Sequence, residues 1–108
     1  MSHGSEFSVS ATQSDGVTVA VLTGEIDLAS CTRLGQQLTE IVATGDRVEL
    51  DMSNVAFMDS TGLRVLVAAK EDSRRRGGSL VVTAASEPVR RLLEITGLAG
   101  EFSLTTIR

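Results

Sequence analysis

The chain has 108 residues, room for one domain and not two, and its 42% hydrophobic and 22% charged residues make a globular rather than a disordered composition. A net charge of −4 leaves no bulk electrostatic footprint for nucleic acid or an anionic membrane. One cysteine (Cys31) and one histidine (His3) exclude an internal disulfide and leave zinc coordination and Ser-His-Asp catalysis without their residues.

Cys31 has no histidine to activate it and reads as a structural thiol in a reducing compartment. No apolar stretch reaches membrane-spanning length and no signal peptide is visible, so the expected location is cytoplasmic. There is no Trp or Tyr and there are three Phe, so the core must come from Val, Leu, Ile, Met and Ala. Residues 1–7 read as a cloning remnant, because two adjacent cloning sites commonly encode Gly4-Ser5-Glu6-Phe7; the domain is read as residues 8–108.

Val9, Ala11 and Gln13 alternate weakly, and Val17, Val19 and Val21 alternate cleanly. Asp15-Gly16 between them supplies the positive φ values of a tight hairpin turn. The second strand is expected to end near Thr23, with Gly24-Glu25-Ile26-Asp27 as a loop into a helix. Leu34, Leu38, Ile41 and Val42 form one apolar stripe, Asp27 or Ser30 is placed to cap its start, and Gly45 is placed to end it. Gly35 inside that helix costs about 1 kcal/mol against Ala, which points to a close packing contact.

Val48, Leu50 and Met52 alternate with Arg47, Glu49 and Asp51 as a strand. Ser53-Asn54-Val55 reads as a short connection before Phe57-Met58. The next helix has Leu63, Leu66 and Val67 on one face, Arg64, Ala68, Glu71 and Arg75 on the other, and Gly77-Gly78 as its stop. Arg74-Arg75-Arg76 is the basic cluster and reads as a solvated last helical turn. Leu80–Ala84 reads as a central strand covered on both faces. Glu87-Pro88 opens a third helix with Val89, Leu92, Leu93 and Thr96 inward and Gly97 as its C-terminal cap, and Phe102–Ile107 reads as a last strand. The order β-β-α-β-α-β-α-β predicts an α/β domain: a mixed, mostly parallel sheet with helices and an antiparallel N-terminal hairpin strand.

Asp59-Ser60-Thr61-Gly62-Leu63 lies at a strand-to-helix junction. Chemistry in open α/β sheets collects at the carboxyl ends of strands. A hydroxyl there is either a helix cap or an exposed phosphate acceptor, and the local spacing alone is satisfied by a cap made by the side-chain oxygen of Asp59 or Ser60. There is no G-x-S-x-G and no G-x-x-x-x-G-K. Asp51 and Asp59 as a cation pair are a weak signal.

Three stretches, Gly24-Glu25-Ile26-Asp27, Val55–Leu63 and Arg91–Leu98, together resemble the STAS family, and within it the stand-alone bacterial anti-sigma-factor antagonists. The resemblance spans nearly the whole chain after the tail. It implies a single STAS domain that is not an enzyme, holds no metal or cofactor, and is phosphorylated on Ser60, with Thr61 the less favoured acceptor. It further implies a partner-binding surface of Asp27, Asp59, Ser60, Thr61, Gly62 and Arg64. The implied partners are an anti-sigma factor that is also an ATP-dependent serine kinase, and a PP2C-type phosphatase; nucleic acid and membrane are not among them. The unphosphorylated form would bind the kinase and free the sigma factor. The alternative is a constitutive scaffold or transporter-associated module in which Ser60 only caps the helix; a nucleotide- or small-ligand-binding domain is a third. Arg64 departs from the glycine that relatives often carry after the leucine. The chain also stops soon after its last predicted strand, where relatives often have another helix.

Overall fold

A computed structural model describes residues 6–44 and 46–104. Strands β1 (Ser8–Ser14) and β2 (Val17–Ile26) form the expected hairpin, and Asp15 and Gly16 take φ of 53° and 79° in its two-residue turn. Helix α1 (Leu28–Val42), strand β3 (Arg47–Met58), helix α2 (Ser60–Arg75), strand β4 (Ser79–Ala85) and helix α3 (Glu87–Ile95) follow. The sheet order is β1-β2-β3-β4, with β1–β2 antiparallel and β2–β3 and β3–β4 parallel. The α/β expectation with a mixed sheet therefore holds.

One sheet face builds the core. Ala20 stands beside Leu50 and Leu50 beside Val82, and all three are buried. Val48 and Leu80 form the next row in the same way. Their odd-numbered neighbours Val19, Glu49, Val81 and Thr83 are exposed or half-buried, so the other face meets solvent. Leu34, Leu38 and Val42 of α1, Leu63, Leu66 and Ala69 of α2, and Val89 and Leu93 of α3 complete one cluster. Each fully buried Leu there contributes about 1.5–3 kcal/mol of transfer free energy.

Several expectations are corrected. Strand β2 runs on to Ile26, because Gly24 takes φ 97° within the strand and lets the chain bend without leaving the sheet. Ser53-Asn54 is no connection: β3 is one strand, and its pairing with β2 shifts twice, between Val21 and Thr23 and between Gly24 and Glu25. The irregularity breaks the alternation of side chains, so Ser53 and Asn54 are both exposed. Among the described residues strand β4 is the edge of the sheet, with Thr83 exposed, and not a central strand covered on both faces. Val67 is 43% exposed, off the buried stripe of Leu63, Leu66, Ala69 and Ser73, and Thr96 is exposed. Of the predicted last strand, Phe102 is buried at the end of a 3-10 turn, Gly100–Phe102; residues 105–108, which hold the rest of that prediction, lie outside the described residues, as does Gly45. Phe7, read from sequence as part of the tail, is also buried, with Arg33 over its ring and donating to its carbonyl oxygen at 2.7 Å.

The helix stops are as expected. Gly77 and Gly97 take φ of 84° and 77°. The N–H groups of Gly78 and Leu98 reach back to the carbonyls of Ser73 and Leu93 at 2.9 and 2.8 Å, which closes each helix end. The arginines after Glu71 are paired within their own helix turn, as a solvated terminus requires: Arg74 with Glu71, and Arg75 and Arg76 with Asp72.

Candidate functional site

Helices α1 and α2 start side by side at the carboxyl ends of β2 and β3. The link is direct: the Asp59 N–H donates to the Ile26 carbonyl at 3.2 Å, so the residue before Asp27 holds the residue before Ser60. Gly62 makes this approach possible. A Cβ there would sit 2.4 Å from Ile26 Cγ2 and 3.0 Å from Met58 Cγ. The motif's glycine is therefore a packing requirement, a reason the sequence alone does not reveal.

Asp59 caps α2. Its Oδ1 accepts from the Thr61 N–H at 3.0 Å and from the Gly62 N–H at 3.3 Å. The Thr61 hydroxyl donates to the same oxygen. That hydroxyl holds the Asp59 carboxyl below the usual carboxylate range, against the opposing effect of burial and with further help from backbone N–H groups. Ser60 is different. It is the first helical residue, it is exposed, and its hydroxyl has no hydrogen-bond partner among the described residues. The reading in which Ser60 only caps the helix is thus corrected: Asp59 makes the cap, because its extended backbone places the carboxylate over the free N–H groups.

Asp27 caps α1 by the same geometry, accepting from the Ala29 and Ser30 N–H groups at 3.0 and 3.2 Å. Here Ser30 answers: its hydroxyl accepts from the Asp27 N–H at 3.0 Å and donates to the Glu25 carbonyl at 2.9 Å. Of the two cap candidates, Asp27 is the cap and Ser30 its reciprocal partner. Asp51 is committed elsewhere, to the Ser53 N–H and hydroxyl, which lower its pKa. Asp51 and Asp59 are thus each engaged within their own turns. The Cys31 thiol is half-buried, 3.4 Å from the Leu28 carbonyl.

Arg64 follows Ser60 by one turn on the exposed side of α2. Leu28 on α1, Phe57 on β3 and Val67 on α2 are exposed apolar side chains on the elements that meet here, at 74%, 46% and 43%. Sequence reading missed Phe57 and Leu28 as surface groups, since an apolar residue beside a strand end or helix start reads as core. An open depression of about 430 Å³ beside α1 is lined by Phe7, Glu25, Asp27, Ser30 and Arg33. Its two carboxylates, and an arginine already held on Phe7, do not suit a phosphate-bearing ligand. No described helix is long and apolar enough to cross a membrane.

The STAS domain family matches residues 8–108. The anti-sigma-B factor antagonist of Bacillus subtilis is 38% identical over 77 residues, 71% of each chain. That of Listeria monocytogenes is 39% identical over 77 residues, 70% of this chain and 68% of the relative. A crystal structure of an anti-sigma factor antagonist from Mycobacterium paratuberculosis superposes with a TM-score of 0.85 at 30% identity, over 99% of this chain and 92% of that one. The anti-sigma factor antagonist SpoIIAA in its unphosphorylated form has the same fold, with a TM-score of 0.75 at 18% identity over 94% of this chain and 89% of that one. With this match across nearly all of its sequence, the chain belongs to the STAS domain family.

Proposed function

We propose that this chain is an anti-sigma-factor antagonist controlled by phosphorylation of Ser60. Its unphosphorylated form binds an anti-sigma factor that is also a serine kinase, and binding releases the sigma factor. Phosphorylation of Ser60 dissolves the complex, and a PP2C-type phosphatase restores it. The protein acts by binding in the cytoplasm, not by catalysis. The observation that carries this reading is the exposed hydroxyl of Ser60, free of hydrogen bonds among the described residues, beside a cap completed without it. Thr61 is the poorer acceptor because its hydroxyl is already given to Asp59. The relatives named as anti-sigma factor antagonists support the class of partner. SpoIIAA is described in both an unphosphorylated and a phosphorylated form, which supports a phosphate switch on this fold.

The physics of the switch is local. A phosphate adds about −1.5 to −2 charge. The Thr61 and Gly62 N–H groups already serve Asp59, so the phosphate finds no free pair of backbone donors there and projects toward solvent and partner. The helix dipole still favours it. Across an interface it brings bulk and repulsion beside Asp59 and Asp27. Taking a complex from micromolar to millimolar affinity requires about 4 kcal/mol, which a desolvated like-charge contact can supply without refolding. Titration calorimetry with the anti-sigma factor should show about 1,000-fold weaker binding after Ser60 phosphorylation. Equal affinity of the two forms would refute the switch and leave a constitutive scaffold.

A further inference from the structure

Arg64 is the one cation without a partner among the described residues. Arg33 donates to the Phe7 carbonyl, Lys70 pairs with Glu101, and the remaining described arginines each pair with a carboxylate. Glu71, the next acidic group along the same side of α2, is taken by Arg74. Arg64 is exposed and lies four residues after Ser60 in a regular helix, so the two side chains leave the same face one turn apart, about 5–6 Å between Cβ atoms. An acidic group followed at i+4 by a basic one is the favourable orientation on a helix. The next two backbone donors, the Thr61 and Gly62 N–H groups, are already used by Asp59, which leaves the N–H of Ser60 itself. The guanidinium of Arg64 is thus the uncommitted cationic donor on α2, and its planar fork matches phosphate oxygens.

We propose that, once Ser60 carries a phosphate, Arg64 pairs with it across one turn of α2. The pairing rests on the reading of Ser60 as the phosphoacceptor. It gives Arg64 two states: a free surface cation in the unphosphorylated protein, and a neutralising partner in the phosphorylated one. Phosphorylation would then withdraw a positive charge from the docking surface while adding a negative one.

The ionisable groups on the elements meeting at this junction are Glu25 and Asp27 at the end of β2 and start of α1, and Asp59 and Arg64 flanking Ser60; Arg33 on α1 is held on Phe7. The three carboxylates hold the phosphate monoanion in favour, and Arg64 works against them. Phosphoserine can be installed at position 60 during translation, so the test needs no kinase. Titrating its second ionisation by phosphorus NMR at low salt should give a value about 0.2–0.4 pH units lower in the wild type than in Arg64→Gln. Arg64→Lys should keep part of that difference, and 1 M salt should erase it. Identical titrations of wild type and Arg64→Gln at low salt would overturn the pairing. A kinase reaction that leaves Ser60 unmodified would count against the switch and not against this ion pair, which the installed phosphoserine reads directly.

Discussion

The starts of α1 and α2 use one cap with different outcomes. Asp27 and Asp59 both sit in extended backbone and both receive two N–H groups from the first turn. At α1 the serine three residues on is folded back into the cap and tied to the Glu25 carbonyl. At α2 the threonine two residues on gives its hydroxyl to the cap, and the serine between is left over. A closed cap is a structural feature. A closed cap with a spare exposed hydroxyl beside it is a site that can be modified without first dismantling the helix. Arg64 stands one turn beyond that hydroxyl with its charge uncommitted.

Substitutions can break this contrast in order of size. Gly62→Ala is the most severe, because its Cβ would meet Ile26 Cγ2 at 2.4 Å. We expect a loss of about 3 kcal/mol in urea unfolding, since overpacking costs about 1–3 kcal/mol and this contact joins two elements. Asp59→Ala should cost about 1–2 kcal/mol by removing the α2 cap. Ser30→Ala should cost about 1 kcal/mol, whereas Ser60→Ala should change stability by less than about 0.5 kcal/mol. Equal losses for these two serines would mean that Ser60 also serves the cap. Gly35→Ala should gain about 0.5–1 kcal/mol, because its Cβ would rest 3.7 Å from Val65 Cγ1, an ordinary contact, and the helix gains propensity. The close packing expected at Gly35 exists, but it leaves room for a methyl group.

The acid limb offers a smaller effect. The Asp59 carboxyl ionises more readily in the folded chain than in the unfolded one. Its contribution is therefore present above the unfolded value, about pH 4, and is lost as pH falls through the lower folded value. Asp59→Asn should flatten part of the stability loss below about pH 4 in thermal unfolding followed against pH. An unchanged acid limb would show that the carboxylate gains nothing from its donors.

Turn and cap chemistry was legible in the sequence because it is local. Asp15-Gly16, Gly77, Gly97 and the pair of cap candidates Asp27 and Ser30 depend only on neighbours in the chain, although the sequence left open which of the two makes the cap. That Asp27 stands near the Ser60 junction was legible only as an implication of the family resemblance. What escaped depended on distant residues. Leu80–Ala84 has no polar interruption before Thr83, so nothing local distinguishes an edge strand from a central one. Ser53-Asn54 has turn composition, yet pairing across to β2 keeps it in the sheet as an irregularity. Val67 fits the helical stripe by spacing, but α2 is rotated so that Ser73 is buried and Val67 meets solvent. The role of Gly62 lies in contact with Ile26, far away in sequence. The candidate site was thus found as a motif, while the assignment of cap to Asp59 and freedom to Ser60 needed the three-dimensional arrangement.

The most direct test of the central claim is to locate the phosphate after incubation with the cognate anti-sigma kinase and ATP. Mass spectrometry should place it on Ser60, with Thr61 unmodified and Ser60→Ala left unphosphorylated. Phosphate on Thr61 in the wild type, or Ser60→Ala modified to the wild-type extent, would contradict the account.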